Sequence, residues 1–374
     1  MPKSFLVLFF KKELLPFFLA CFLLPTEAAF SLVFYAVLPL LLWRSRVWPP
    51  WPASGLILWS GLTLLWGEGD THRVLAFGLG AVCTYVYVAA LLGTLSDASM
   101  RRQVGTLLIW AGAANALWAI GRGVALQTMA PQLLGWGVTH HPILGASVMA
   151  VCLLTALIRA LAEPRFRWAH AAACAVMTAF ILLTEARGPL LACVVGAAII
   201  GAGGRWRGRA FLALICVSFA LHREPESWRR HQIGVLMDRG LHDRPEIWSR
   251  TLELIREKPL FGHGLAANLD LPGITFPHDL ALGVLFYSGL VGFALFVWLL
   301  VLVAQRLMRM PSGPERLWLI ALCANAMVAG LTDLGQITKG PGALWFIFWL
   351  PVGLVLAYPT RSSPGPCSDS QATA

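Results

Sequence analysis

HDLALGVLFYSGLVGFALFVWLLVLVA, residues 278–304, opens on a histidine and an aspartate and then runs for 25 residues without a charged side chain. That exceeds the ~20 apolar residues a helix needs to cross a bilayer. Similar runs recur along the whole chain, and they do not alternate as the strands of a membrane barrel do. The chain is 57% hydrophobic and 13% charged, with a mean hydropathy of +0.69, outside the range of soluble domains. The sequence therefore reads as an all-α, polytopic transmembrane protein.

Dividing the apolar runs at their breakers gives about twelve spans: 13–25, 28–43, 54–67, 74–95, 104–121, 142–160, 168–184, 189–203, 209–221, 278–304, 316–332 and 342–358. The first mimics a signal peptide, with Lys11 and Lys12 before Leu14 and Thr26-Glu27-Ala28 behind the run. The many spans that follow favour an uncleaved helix. Residues 1–358 read as one transmembrane domain, with 222–277 as a helical segment between the ninth and tenth spans. Residues 359–374 read as a disordered tail.

Cations counted in alternate short loops are strongly unequal. One set holds seventeen, from Lys3, Lys11 and Lys12 to Arg361; the other holds Arg73, Arg122, Arg187 and Lys339. Lys and Arg collect in cytoplasmic loops, so both termini read as cytoplasmic. Arg187, the 222–277 segment, His140, His141, Asp333, Lys339 and the start of the 278–304 span then share the external face. The same rule accounts for the net charge of +10, and no nucleic-acid partner is expected. The eight cysteines contain no CxxC pair and read as buried small hydrophobes.

Polar chemistry is concentrated in 222–277, which holds eight cations and eight anions out of 29 and 19 in the whole chain. Within it, Asp243-Arg244-Pro245-Glu246 reads as a helix start, with Asp243 or Arg244 as cap and Pro in the first turn. Ile247, Trp248, Thr251, Leu252, Leu254 and Ile255 trace one apolar face. Such a helix can lie on the bilayer, carry Arg244 to the rim of an outward cavity, or do both. Arg187 stands before Gly188-Pro189 at another helix start, where free N–H groups favour an anion. His222, His231, His242 and His263 lack metal-ligand spacing, so no metal is expected. Asn115 and Asn325, inside spans, read as helix–helix hydrogen-bonding groups.

Arg187-Gly188, then Arg244-x-x-x-Trp248, then Lys258-Pro259-Leu260-Phe261-Gly262-His263-Gly264, then His278-Asp279-x9-Gly289-Leu290-Val291-Gly292 form a recognisable order. It resembles the O-antigen ligase and polymerase superfamily of bacterial envelope glycan assembly, and the histidine–glycine element favours the ligase branch. That branch usually has Asn, Ser or Gln after the histidine; this chain has Asp279. The resemblance implies a GT-C-type, metal-independent, inverting glycosyltransferase of the bacterial inner membrane, with no cofactor and a periplasmic active site. Its donor would be a glycan on undecaprenyl diphosphate and its acceptor a sugar of the lipid A core, among membrane lipids. A polymerase would use a second lipid-linked glycan as acceptor instead. By position Arg187 and Arg244 match the family's diphosphate-binding arginines and His278 its essential histidine. His141 and Lys339 are candidates to line the site, though spacing assigns them no role. A flippase or transporter would place ionisable groups near mid-membrane, whereas the charges here lie in loops and at helix ends.

Overall fold

The computed structural model describes residues 14–44, 47–126, 132–203, 243–269, 271, 274 and 276–359. In chain order the helices are α1 (Leu14–Leu23), α2 (Glu27–Arg44), α3 (Trp51–Leu62), α4 (Thr71–Leu95), α5 (Ala98–Ala125) and α6 (Pro142–Ala162). They continue with α7 (Arg167–Leu183), α8 (Arg187–Gly203), α9 (Asp243–Glu257), α10 (Leu280–Arg309), α11 (Pro314–Thr332) and α12 (Leu350–Ala357), the last entered through a π-helical turn, Trp345–Trp349. No named strand occurs among the described residues. Six helical stretches are long and apolar enough to cross a membrane, those built on α4, α5, α6, α7, α10 and α11. Five shorter apolar helices overlap the remaining predicted spans, except the ninth, 209–221, which lies outside the described residues. Residues 222–242 and 360–374 lie outside them as well.

Helix α6 is apolar around its whole circumference because it is surrounded: 83% of its apolar stretch is buried, against 33% for Pro164–Leu183. A second centre is aromatic. Tyr87 of α4 stacks on Trp345 with centroids 4.2 Å apart, and Phe17 and Phe34 close on the same indole. The π-helical turn offers two anchors from one short segment, as Trp345 Nε1 donates to Thr84 Oγ1 (3.2 Å) and Trp349 Nε1 to the Ile337 carbonyl (2.6 Å). These bonds hold the loop that carries Lys339. α1 is buried through Phe17, Phe18, Cys21 and Phe22.

The apolar face of α9 is turned into the protein and packs against α10. Ile247, Thr251 and Leu254 are buried, while Leu252, counted on that face from sequence, stands 42% exposed. His263 ends the helix: its Nε2 lies 2.6 Å from the Leu254 carbonyl and its ring stacks on Phe286 at 5.0 Å. That is a structural task for a histidine with no ligand spacing. Lys258 then clasps Glu68 across the bundle at 2.7 Å.

Two motif segments interlock. α10 breaks at Gly289 (φ 62°, ψ −167°), which frees carbonyls and amides for the 259–264 turn. His263 and Gly264 donate to the Phe286 and Tyr287 carbonyls, and Leu290 and Val291 donate to Pro259 and Leu260. The glycine at 289 thus admits the 259–264 turn against the helix. A Cβ there would lie 2.3 Å from the Leu260 carbonyl oxygen. Gly289→Ala is expected to lower stability by ~1–3 kcal/mol, since it adds left-handed strain to a clash. Thermal melting of the purified protein checks this; an unchanged midpoint contradicts it.

Asn115 bonds more widely than a helix–helix pair. Its Nδ2 donates to the Phe22 and Trp136 carbonyls (both 3.0 Å), and its Oδ1 accepts from Thr139 Oγ1 (2.7 Å). It thereby ties α1 to the turn leading to His141. Asn325 is fully buried with neither amide atom partnered among the described residues; nothing in the structure explains it.

Candidate active site

Segments far apart in sequence meet at one end of the bundle. They are the N-termini of α6, α8, α9 and α10, and the C-terminus of α11 with its following loop. α7 ends because Glu185 takes a left-handed conformation (φ 55°), and the chain restarts at once as α8 with Pro189 in its first turn. This puts Arg187 at the first position of α8, exposed. Its neighbour Gly188 lies flat on the end of α11: a Cβ there would meet Thr332 Oγ1 at 2.6 Å and Asp333 Oδ2 at 2.7 Å. A side chain at 188 would push the start of α8 off the end of α11.

Asp333 is the link to Arg244. Helix α9 begins at Asp243, so Arg244 sits in its first turn and reaches Asp333 Oδ1 at 3.0 Å through Nη2. The carboxylate side chain is only 6% exposed, the guanidinium 31%. Burial pushes the Asp333 carboxyl up to about 6, against the downward pull of Arg244 and the Thr332 hydroxyl. The sign is unusual for an ion-paired acid. A carboxyl raised from 3.8 to about 6 binds its proton more tightly in the folded chain, so folding becomes less favourable as pH rises between those values. Asp333→Asn is therefore expected to stabilise the protein at pH 8 by ~1–3 kcal/mol, after allowance for the lost ion pair. The gain should vanish below pH 4, where the wild-type carboxyl is neutral in both states. Melting at the two pH values decides it.

His278 stands where the chain turns back into α10. It holds a left-handed conformation (φ 55°), which histidine tolerates better than most residues, and its ring lies 4.1 Å from that of Phe276. Asp279 is the N-cap of α10, its Oδ1 accepting from Leu282 N–H at 2.8 Å. Asn and Ser make the same cap, so the aspartate at 279 preserves the local geometry. Burial first, then the charges of Arg244 and His141, hold the His278 imidazole below its ordinary value. At neutral pH it is the uncharged base, half-buried.

His141 caps α6, its Nδ1 accepting from Leu144 N–H at 3.4 Å, and is held below its usual value by burial and by His140. Lys339 and Glu27 also act on it electrostatically, with opposite signs. His141 therefore belongs to the neighbourhood of His278, and Lys339 to that of His141. Two groups were missed as participants. Asp333 was placed on this face by sequence but given no role, because its partner is 89 residues away. Trp248, one turn beyond Arg244, has a buried indole N–H with no partner among the described residues; the spacing of four from Arg244 was the available signal.

Arg187, Arg244 and Lys339 bring positive charge to this end of the bundle, helix N-termini add partial positive charge, and Asp333 and Glu27 bring negative charge. A family model described as O-antigen ligase matches residues 172–297, from α7 into α10. The match contains Arg187, Arg244 and His278, while His141, Asp333 and Lys339 lie outside it. A Pseudomonas aeruginosa protein described as an O-antigen ligase is 27% identical over 311 residues, covering 79% of this chain and 74% of the relative.

Proposed function

This chain belongs to the O-antigen ligase superfamily, and from that premise we propose that it moves a glycan from undecaprenyl diphosphate to a lipid A core sugar. The observation that carries the proposal is the pairing of Arg244 with the buried Asp333, on which the start of α8 also rests through Gly188, beside a neutral His278. In this reading the enzyme is a GT-C-type glycosyltransferase of the bacterial inner membrane, with cytoplasmic termini and a periplasmic site.

The residues divide the work. Two guanidiniums offer forked donors to the diphosphate oxygens, a geometry a lysine ammonium does not reproduce. His278 takes the proton from the acceptor hydroxyl as its oxygen attacks the anomeric carbon. The bond from that carbon to the phosphate oxygen breaks, and the electron pair leaves with the diphosphate, held by Arg187 and Arg244. Attack opposite the leaving group inverts the anomeric centre. Asp333 keeps Arg244 extended toward the site before the donor arrives.

The test combines purified protein, lipid-linked glycan donor and either lipid A core or a second donor. A core-linked product is expected; a lengthened lipid-linked chain would identify a polymerase instead. Exhaustive chelation of divalent cations should leave the rate unchanged, because the charge on the leaving group is met by arginine. Acid should inhibit: His278 loses its base form only below pH 6.5, and Asp333 releases Arg244 below about 6. The rate is therefore expected to be flat from pH 7 to 8 and to fall below 6. A profile that rises towards pH 5 would contradict the assignment.

A further inference from the structure

A histidine that serves as a base has to be aimed at one hydroxyl. The usual device is a third group, a carboxylate or carbonyl that accepts from the second ring nitrogen. Among the described residues no hydrogen bond reaches either nitrogen of His278. Asp279, the adjacent carboxylate, is committed to the α10 cap, its Oδ1 accepting from Leu282 N–H at 2.8 Å. Asp333 is turned to Arg244 at 3.0 Å. What touches the imidazole is an aromatic face: the Phe276 ring, 4.1 Å away between centroids and tilted by 34°.

Pro277, between the two rings, is buried, and its own ring removes one backbone freedom. With His278 left-handed (φ 55°), imidazole and phenyl meet across it. The phenyl ring is backed in turn by glycine. A Cβ on Gly335 would lie 2.5 Å from Phe276 Cδ2 and 2.9 Å from its Cγ, so the ring rests directly on the backbone of the 333–339 loop.

That loop is itself well fastened. It lies on α10, where a Cβ on Gly283 would come within 2.3 Å of the Gly335 carbonyl oxygen. Gln336 Nε2 donates to the Leu265 carbonyl (3.0 Å), the Ile337 carbonyl accepts from Trp349 Nε1 (2.6 Å), and Leu334 is fully buried. The loop begins at Asp333, the partner of Arg244. One anchored segment thus backs the ring beside His278 and, two residues earlier, holds Arg244.

We propose that Phe276 is a positioning residue for His278: seated on Gly335, its ring fixes the plane of the imidazole and its place relative to Arg244. The assignment rests on the base reading above. Phe276 moves no proton and makes no bond to substrate; it acts through His278. Geometry is where such a contribution lies, because a misplacement of ~1 Å at a reacting group can cost ~10²-fold in rate.

The experiment uses full-length purified protein, lipid-linked glycan donor and lipid A core. Phe276→Leu keeps an apolar side chain on Gly335 but removes the flat face. Its kcat at saturation should fall ~10–10²-fold, with both KM values within ~2-fold of wild type. Phe276→Tyr restores the face and should recover the rate to within ~3-fold of wild type. In His278→Asn protein no base remains to be aimed, so the leucine substitution should there cost under ~2-fold. Phe276→Met repeats the test should melting show the leucine variant unfolded. A folded leucine or methionine variant with wild-type kcat overturns the assignment. So does a tyrosine variant as slow as leucine, or a loss that persists in full in the His278→Asn background, where the ring would be acting on something else. His278→Asn protein with the wild-type rate overturns the base reading itself, and the positioning task with it.

Discussion

Replacing His278 by alanine is expected to leave a protein that still inserts but transfers glycan ~10²–10⁴-fold more slowly, the usual contribution of a general base. The ring is half-buried and held uncharged by burial, Arg244 and His141, so it can accept a proton at pH 7 without first losing one. Alanine alone would mix two effects, because φ 55° at this position is unfavourable for most residues. His278→Asn separates them. Asparagine tolerates the left-handed conformation and can orient a hydroxyl, yet it cannot take up the proton. If His278 is the base, Asn is as inactive as Ala, and both keep only the part of the acidic fall that comes from Asp333. Substantial activity in the Asn variant would assign His278 an orienting task instead.

Arg244→Ala is expected to lower kcat by ~10²–10³, the scale of losing one group that meets charge developing on a leaving group. The effect should appear in kcat more than in KM, since the diphosphate gains charge as the glycosidic bond breaks. Arg244→Lys should recover little, because the guanidinium must pair with Asp333 and still offer donors to phosphate. Removing the arginine also leaves a nearly buried carboxyl without its cation. That carboxyl should then rise further, so the single variant is folded with Asp333 neutral. Arg244→Ala/Asp333→Asn should match or exceed the single variant in melting temperature while staying inactive. Recovery of transfer in the double variant would show that Arg244 matters only as a partner of Asp333. Arg187→Ala is expected to fall in the same range, with no carboxyl effect.

How much of this was legible beforehand can be judged residue by residue. Runs such as 278–304 announce membrane helices because hydropathy is a local property, and eleven predicted spans overlap apolar helices. The starts of α8 and α9 were legible from Gly-Pro and Asp-Arg-Pro, since caps and first turns are settled within four residues. The motif order also carried Arg187, Arg244 and His278. The break at Gly289 was not legible: a glycine in an apolar run is common in membrane helices, and only the 259–264 turn pressing on it explains the kink. The orientation of Leu252 was missed for a similar reason, as the edge of an amphipathic face depends on what covers it.

The sequence by itself determined the membrane class, the positions of most helices and the residue types available for chemistry. Each follows from composition and spacing within a turn or a span. Tertiary structure alone decided that Arg244 meets Asp333, that Gly188 seats the start of α8 on the end of α11, and that His278 is kept neutral. Those outcomes depend on which helix ends are packed together and on how far water is excluded between them, and neither is encoded in any one stretch of the chain.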